Sequence, residues 1–334
     1  MKKIIVTSAG GGFTPKEEPV PEPGSRCARV KIQACGVCHS DALTKDGSLP
    51  GIVYPRAPGH EIAGVIDALG PDADPWNIGD RVGVGWHGGH CGKCESCRRG
   101  DFITCVKLQI PGISYDGGYA EYVSVPIEAL ARTPEGLAPE EAAPLMCAGI
   151  TTFNALRHSG ARPGDLVAIQ GVGGLGHLGI QFASKFGFAT VAIGRGEENR
   201  NLALELGARV YIDARSQDVA KELTALGGAR AILATAPDGK AMGSLIDGLG
   251  VDGKLVTIAV SFEPFSVSSP QLLMARKSIM GWPSGTSKDS EDTLRFAAAN
   301  GVRPMIETFP LERAADAYER MMSGKVRFRS VLKI

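Results

Sequence analysis

The chain has 334 residues, and at roughly 100–200 residues per domain this length predicts two domains. Hydrophobic residues make up 43% and charged residues 22%, which indicates a globular protein and argues against a disordered one. Its 36 basic and 36 acidic residues balance, so no net field recruits nucleic acid or an anionic membrane surface.

The sequence offers no obvious targeting segment. The apolar run in Met1–Thr7 soon breaks into Gly10–Gly12, too early for a signal-peptide core. No stretch approaches the roughly 18 uninterrupted apolar residues of a membrane helix. We therefore expect a cytoplasmic protein, whose thiols stay reduced. Its eight cysteines then argue for metal binding or catalysis over disulfides.

Up to about residue 143 the chain consists of short β-like runs separated by turns. The clearest predicted strands are Cys27–Ile32, Ile62–Ile66 and Asp80–Val84. Such strands, joined by turns without long helices, are predicted to be mostly antiparallel.

After Pro144 strands alternate with helices. The predicted elements are a strand Leu166–Ile169, a helix Gly176–Phe186, and strands Thr190–Ile193, Ala231–Ala234 and Leu255–Ile258. This alternation predicts a doubly wound parallel sheet with helices on both faces.

The last segment begins near Ser284 and is expected to return to the first domain. It contains predicted helices at Ser290–Asn300 and Leu311–Ser323, then a strand at Phe328–Leu332. We therefore expect domains at residues 1–145 and 146–283, with residues 284–334 rejoining the first.

Four thiols lie close together on a polar loop that contains Lys93 and Glu95. They are Cys91, Cys94, Cys97 and Cys105. Four thiolates at this spacing close a tetrahedral shell around Zn²⁺ and leave no open position, which predicts a structural zinc lobe at residues 91–105. The alternatives are unligated buried thiols and a nucleic-acid-binding zinc ribbon, and the neutral chain counts against the second.

A second set of ligand-type residues is dispersed: Cys38, the pair His60 and Glu61, and Cys147. Two thiolates and one imidazole are three ligands, which is what a catalytic zinc takes when its fourth position is left open. Spacing alone cannot group residues so far apart. His60 is alternatively a packed histidine, and Cys147 a small hydrophobe.

The segment Cys35–His39 also permits two rival interpretations. It matches the CxxCH attachment motif for c-type haem and contains a CxxC redox pair. Haem attachment normally needs an exported chain, and no thioredoxin-like context surrounds the cysteines.

A glycine-rich turn follows the strand that ends at Ile169 and opens the next helix. Its members are Gly171, Gly173, Gly174, Leu175 and Gly176. Between a strand and a helix these glycines permit the tight turn and let the backbone approach a pyrophosphate, so the motif predicts dinucleotide binding.

The next strand ends in Gly194 and Arg195, where an NAD site usually has a carboxylate for the ribose hydroxyl. Without that carboxylate a 2′-phosphate is not repelled, and Arg195, with Arg200, can pair with it. The sequence therefore favours NADP(H) over NAD(H). The alternative is that Glu197 or Glu198 reaches the ribose.

In their order and separation these motifs resemble the zinc-containing medium-chain alcohol dehydrogenases, including the yeast-type and cinnamyl-alcohol-type branches. The resemblance covers nearly the whole chain. It extends to Gly36–Asp41, Gly79–Val82, Cys147–Thr152 and Arg327–Arg329. It implies a GroES-like, mostly-β catalytic domain with an inserted Rossmann α/β domain.

The resemblance also implies residue roles. Cys38, His60 and Cys147 would bind the catalytic zinc, with Glu61 beside it and Asp41 holding the imidazole. By the same match the cofactor pyrophosphate would contact His39 and Arg329, Ser40 would exchange the hydroxyl proton, and the structural zinc would be held by Cys91, Cys94, Cys97 and Cys105.

The chain departs from many relatives at Leu43, where they carry a histidine that passes the proton to solvent. We expect the relay to end at the cofactor ribose or at water. Leu49 and Trp86 match substrate-pocket positions, and Trp282 is expected near the nicotinamide; ordinary core packing is the alternative for all three.

The predicted function is an NADP(H)-dependent zinc alcohol dehydrogenase or aldehyde reductase with a small-molecule substrate. Alternatives are an NAD-dependent enzyme, a polyol or secondary-alcohol dehydrogenase, and a non-catalytic zinc-stabilised dinucleotide-binding protein. A zinc-free quinone reductase would lack both cysteine sets. A homo-oligomer, a tetramer or a dimer, follows from resemblance alone.

Overall fold

The computed structural model describes residues 1–334, which divide into two compact units. Unit 1 comprises Met1–Ile150 and Ser284–Ile334, and unit 2 comprises Thr151–Pro283. The first boundary was expected after residue 145 and instead follows Ile150. The intervening Leu145–Gly149 form a π-helical turn, and Met146 packs against Gly83 of unit 1.

Unit 1 is mostly β and unit 2 is α/β. The strands are β1 Lys2–Val6, β2 Phe13–Glu17, β3 Cys27–Val37, β4 Ile62–Leu69, β5 Arg81–Val84, β6 Tyr122–Pro126, β7 Leu130–Arg132, β8 Leu166–Gln170, β9 Ala189–Gly194, β10 Val210–Asp213, β11 Ala229–Ala234, β12 Leu249–Thr257, β13 Ser278–Gly281, β14 Ile306–Pro310 and β15 Arg329–Lys333. The helices are α1 Asp41–Asp46, α2 Glu95–Arg98, α3 Pro139–Pro144, α4 Ile150–His158, α5 Gly176–Lys185, α6 Arg200–Glu205, α7 Val219–Ala225, α8 Gly239–Leu245, α9 Ser269–Leu273, α10 Ser287–Asn300 and α11 Ala314–Met322.

The main sheet of unit 1 has the order β14-β15-β3-β4-β5-β7, and β6 also pairs with β3. Its pairs are antiparallel except β14 with β15. The early part of β3 alternates exposed and buried residues, as a strand with one solvated face does. Its end is buried without alternation from Ala34 to Val37. The last strand, β15, pairs with this buried end, Ser330 lying opposite Val37.

Unit 2 contains a six-stranded sheet in the order β10-β9-β8-β11-β12-β13, with every pair parallel. The strand order reverses between β8 and β11, which is where doubly wound sheets bind dinucleotides. The predicted fold class is confirmed. Sequence periodicity missed β10 and β13, which have only four residues each, and it began β12 late because glycines interrupt that strand.

None of the helices combines the length and the apolar composition that a membrane-spanning helix needs.

A buried cation ties β1 to the loop that precedes β6. Lys3 Nζ donates to Asp116 Oδ2 at 2.7 Å, and Asp116 Oδ1 accepts from the Ala57 amide at 3.0 Å and from Arg56 at 3.2 Å. Burial opposes ionisation of Asp116, yet these donors prevail and hold the pKa of its carboxyl below the usual 3.8.

This depressed pKa predicts a pH-dependent contribution to stability. The contribution is fully present above the unfolded-state pKa of 3.8 and is lost as the pH falls through the lower folded-state value. The difference in free energy of unfolding between wild type and Asp116→Asn should be constant from about pH 7 to pH 5 and shrink below about pH 4. Urea unfolding at each pH measures it.

Asp46→Asn is the control for this experiment, because it removes an exposed carboxylate whose only ion-pair partner is Lys45, 3.4 Å away. It should produce no comparable pH dependence. An Asp116→Asn difference that persists undiminished to about pH 2 would contradict the assignment.

Candidate functional site

Strand pairing gathers one ligand cluster in unit 1. Cys38 follows β3, and His60 and Glu61 precede β4; because Cys35 lies opposite Ile62 in this antiparallel pair, the two segments meet at one end of the sheet. Cys147 joins them from the π-helical turn. One ligand atom from each of the four residues lies within 4.8 Å of the others, and the two thiol sulfurs are 3.9 Å apart.

Asp41 fixes the imidazole of His60. Its Oδ1 lies 3.2 Å from His60 Nδ1, while its Oδ2 accepts from the Cys38 amide at 2.9 Å and from the Tyr119 hydroxyl at 3.0 Å. The opposite ring atom, His60 Nε2, is buried without a hydrogen-bond partner. A buried ring nitrogen without a hydrogen-bond partner is energetically costly. A metal ion bound by this imidazole and the two thiols would provide the missing partner.

Glu61 lies at the base of the cluster, paired with the buried guanidinium of Arg329. Its other oxygen, Oε2, has no partner. The backbone of Gly36 lies directly against this carboxylate, since a Cβ there would overlap Oε2 and lie 2.9 Å from Cδ. The glycine is therefore a requirement of the site.

Burial and the contacts between neighbours shift the pKa values of this cluster. Burial raises the pKa of Glu61 to about 7, against the lowering effect of Arg329. The hydrogen bond with Cys38 and burial raise the pKa of the Cys147 thiol, and the same bond lowers the pKa of the Cys38 thiol. Three acidic groups this close together favour a bound cation.

Gly36→Ala tests this packing. The added methyl must displace the Glu61 carboxylate from a closed site, so we expect the free energy of unfolding to fall by about 2–3 kcal/mol. The alcohol oxidation expected from the sequence should fall at least roughly tenfold, as one misplaced group of this kind costs more than about 1.4 kcal/mol. Steady-state kinetics and chemical unfolding measure the two effects.

Gly24→Ala is the matched control, because a Cβ there meets no atom within 4 Å and the residue lacks a left-handed backbone. It should change stability by less than about 0.5 kcal/mol. Equal effects of the two substitutions would contradict the proposed requirement at Gly36.

The four-cysteine loop closes into a second cluster, also in unit 1. The sulfur of Cys94 lies 3.5 Å from that of Cys97 and 3.8 Å from that of Cys105. The sulfur of Cys91 lies 3.6 Å from that of Cys105 and 4.0 Å from that of Cys97. A tetrahedral zinc with Zn–S bonds of about 2.3 Å separates its sulfurs by about 3.8 Å, so the geometry fits zinc.

Backbone amides support these sulfurs. The amides of Cys91 and Lys107 donate to the Cys105 sulfur at 3.4 and 3.3 Å. Backbone donors lower the pKa of Cys94 to about 6, whereas burial raises that of Cys97 to about 12. Such amide–sulfur contacts orient and stabilise thiolate ligands.

In unit 2 the glycine-rich turn has the close packing that dinucleotide sites require. Gly171 has a left-handed φ of 98°, and a Cβ at Gly176 would overlap the Gly171 carbonyl oxygen. Thr235 at the end of β11 lies against both, its Oγ1 donating to the Gln170 carbonyl at 2.6 Å. A Cβ at Gly173 would meet nothing within 4 Å, so this part of the turn is open to a ligand.

The absence of a carboxylate at the end of β9 has a structural cause. A Cβ at Gly194 would overlap the hydroxyl of Tyr211, which donates to the Gly196 carbonyl at 2.6 Å. Arg195 extends from the same turn and pairs with Asp238.

Arg200 is engaged elsewhere. Its guanidinium binds Glu197, at 2.9 Å for one of two contacts, and lies over the Tyr211 ring at 4.9 Å. Arg200, the second cation predicted for a 2′-phosphate, and Glu197, the alternative carboxylate for the ribose hydroxyl, are therefore already paired with each other. Arg195 remains the cation whose side chain is mostly exposed at the end of β9.

Comparison with known proteins agrees with both units. A family model described as the alcohol dehydrogenase GroES-like domain matches residues 24–135, and one described as zinc-binding dehydrogenase matches residues 174–299. An alcohol dehydrogenase from Penicillium expansum is 44% identical over 99% of this chain and 97% of its own. The chain belongs to the zinc-containing medium-chain alcohol dehydrogenases.

Two solved structures share the fold. A cinnamyl alcohol dehydrogenase from Sorghum bicolor is 28% identical with a TM-score of 0.90, over 99% of this chain and 97% of that one. An NAD-dependent alcohol dehydrogenase is 28% identical with a TM-score of 0.92, over 100% of both chains. The resemblance inferred from the sequence is confirmed, and this alcohol dehydrogenase is an oxidoreductase that interconverts alcohols and aldehydes.

The remaining predicted residues of this dehydrogenase differ in their burial and contacts. The Trp86 ring meets that of His60 edge to face, with centroids 5.0 Å apart. Ser40 and Leu49 are half-buried, and His39 is exposed. Arg329 is only 5% exposed and already engaged by Glu61, so its contact with the pyrophosphate stays a prediction.

Trp282 belongs to unit 2, where its ring stacks on His158 with centroids 4.1 Å apart. Its indole nitrogen is buried without a partner. The stacking supports the packing alternative, and a role beside the nicotinamide stays a prediction.

Sequence reasoning missed four residues that shape these sites: Gly36, Tyr119, Tyr211 and Asp238. Each acts on a residue distant in the chain; Gly36 lies in the matched segment Gly36–Asp41 but received no role there, and the other three belong to no spacing motif. Only Tyr119 carried a signal, as a tyrosine in a glycine-rich turn after Gly117 and Gly118.

Proposed function

We propose that this alcohol dehydrogenase binds a catalytic zinc through Cys38, His60 and Cys147 and a structural zinc through Cys91, Cys94, Cys97 and Cys105, and that it uses NADP(H) as its cofactor. The observation that carries the proposal is the buried cluster in which His60 Nε2 and Glu61 Oε2 lack partners beside two thiols 3.9 Å apart.

Zinc held there would lower the pKa of a bound alcohol, or polarise an aldehyde carbonyl, so that hydride passes to or from the nicotinamide. The chain's own residues prepare this chemistry. Asp41 fixes the ring of His60 so that Nε2 faces the thiols, and Arg329 neutralises one oxygen of Glu61. The other oxygen remains available within the ligand cluster.

Ser40 is the proposed proton carrier. It precedes α1 and is half-buried beside Asp41, and its hydroxyl makes no capping hydrogen bond to that helix. Leu43 offers no acceptor one helical turn later, so the proton would pass from Ser40 to a cofactor ribose hydroxyl or to water.

The proposed preference for NADP(H) rests on the loop after β9. Tyr211 fills the space that a ribose-binding carboxylate at position 194 would need, and Arg195 supplies a cation for a 2′-phosphate. NAD(H) is the alternative, and one structural neighbour is described as NAD-dependent.

We also propose substrates larger than ethanol. Trp86 provides an aromatic wall beside His60, and leucine at position 49 leaves more room than a bulkier side chain would. Primary, secondary and polyhydroxy alcohols compared at equal concentration discriminate this proposal from a polyol dehydrogenase.

Metal analysis combined with initial rates tests the zinc and cofactor assignments. Close to two zinc ions per chain and a higher kcat/KM with NADPH than with NADH, across aldehydes of increasing size, would support the proposal. Absence of zinc would refute the metal assignment, and a higher kcat/KM with NADH would refute the cofactor assignment.

We further propose that the chain forms a homo-oligomer through a surface of unit 2. Strand β13 is an edge strand, and its Ile279 is 38% exposed. The same unit exposes Phe262, Leu273 and Met274, with Phe262 90% exposed. Exposed apolar side chains beside an unpaired edge favour pairing with another chain. Light scattering after size exclusion would show a tetramer or dimer, and a monomer at micromolar concentration would contradict it.

A further inference from the structure

An ion pair joins the two loops on either side of β8 in unit 2. Arg195 directly follows β9, and Asp238 lies in the loop after β11. Since β8 lies between β9 and β11 in the sheet, the Arg195–Asp238 pair connects loops that flank the end of β8 and its glycine-rich turn. This edge is the crevice at which doubly wound sheets receive a dinucleotide.

Each oxygen of Asp238 has its own partner. Oδ1 accepts from the Ala241 amide at 2.9 Å and caps α8, whereas Oδ2 holds the Arg195 guanidinium. The cap anchors Asp238, but Arg195 is 67% exposed and makes no other ion pair. Arg195 can therefore leave Asp238 at small cost, because exposed ion pairs are weak.

We propose that Asp238 sets the preference between NADP(H) and NAD(H) by competing with the cofactor 2′-phosphate for the guanidinium of Arg195. The inference rests on the proposed cofactor site. A 2′-phosphate must take Arg195 from Asp238 or share it with a carboxylate of the same charge. The neutral 2′-hydroxyl of NAD(H) does neither, so Asp238 penalises only the phosphorylated cofactor.

Other cations near this loop could also bind the 2′-phosphate and so weaken the effect of Asp238. Arg200 is held by Glu197 and by the face of Tyr211. Arg215 lies beside Gly196, its guanidinium 2.9 Å from where a Cβ there would be. Lys240 also lies near enough to Asp238 to lower the pKa of its carboxyl, but it is Arg195 that Asp238 holds in an ion pair.

Asp238→Asn separates the charge of Asp238 from its structural role, since asparagine caps a helix as well as aspartate does. We expect its Kd for NADP⁺ to be about two- to fivefold lower than in wild type, the upper part of the range set by an exposed ion pair. Its Kd for NAD⁺ and its Tm should stay unchanged. Calorimetric titration of the zinc-loaded enzyme with each cofactor measures the constants.

Two further variants make the test specific. In the Arg195→Gln background, Asp238→Asn should change the Kd for NADP⁺ by less than about twofold, because the competed cation is gone. Asp252→Asn is the matched control: Asp252 pairs with Arg276 in the same unit with comparable exposure, 43% and 71%, but lies in the first half of β12. It should affect neither cofactor.

An unchanged or higher Kd for NADP⁺ in Asp238→Asn would overturn the inference, and a higher Kd for NAD⁺ would instead make Asp238 a ribose ligand. Failure of the proposed cofactor preference is separate, since it appears as tighter binding of NAD⁺ than of NADP⁺ in wild type. A lower Kd for NADP⁺ in Asp238→Asn would support the inference even then.

Discussion

Replacing Cys38 with alanine is expected to lower kcat/KM for alcohol oxidation about a thousandfold. A loss of this size corresponds to about 4 kcal/mol of transition-state stabilisation, the scale expected when Lewis-acid catalysis is removed. The variant should contain one zinc per chain in place of two, because the cluster would keep only His60 and Cys147 as firm ligands. Cofactor affinity should change little, since the glycine-rich turn that would hold the cofactor pyrophosphate contains none of the ligand cluster's residues.

Cys35→Ala is the matched control. Cys35 is a fully buried cysteine on β3, three residues before Cys38, but it is outside the ligand cluster. It should keep both zinc ions and most activity while losing about 1 kcal/mol of stability from packing. A Cys38→Ala enzyme that oxidises alcohols at the wild-type rate would overturn the metal-dependent mechanism.

Cys97→Ser is expected to have the second-largest effect, on stability. Cys97 is a buried member of the four-cysteine lobe, and a serine hydroxyl is a poor substitute for a thiolate on zinc. We expect loss of the second zinc and a fall in the free energy of unfolding of more than about 4 kcal/mol, as for other losses of a structural metal. Thermal unfolding and metal analysis measure both.

Limited trypsin digestion should show which part of the Cys97→Ser variant unfolds. Lys93, Arg98 and Arg99 are exposed within the lobe, so a lobe without its metal should be cut there first. Cys27→Ala, which removes a half-buried cysteine outside both clusters, should leave the lobe resistant. Retention of two zinc ions by Cys97→Ser would contradict the structural assignment.

The features that could be predicted from the sequence are those whose physics is local. Cys91–Cys105 spans one loop, so spacing alone indicates a closed tetrahedral site. The glycine-rich turn is equally local, because its function depends on the strand before it and the helix after it. The alternation of strands and helices after Pro144 similarly predicted the parallel sheet of unit 2.

The features that could not be predicted depend on chain segments meeting. Cys38, His60 and Cys147 come together only because β3 and β4 pair and the π-helical turn packs nearby, so the sequence reached them through resemblance. Nothing in the sequence distinguishes Gly36 from other glycines, because its requirement comes from the contact of its backbone with the Glu61 carboxylate. Asp238 lies 43 residues from Arg195, and no periodicity relates the two.

Because Tyr211 packs against Gly194, a carboxylate for the ribose cannot be introduced at position 194 without a change at position 211. An aspartate at position 194 would collide with the Tyr211 ring, and a smaller residue at 211 alone would forfeit the hydrogen bond to Gly196 and leave a gap. Each substitution is unfavourable alone, and only the pair offers a carboxylate that fits. A carboxylate at position 194 therefore requires two coupled substitutions, so single-site libraries at either position would not yield it.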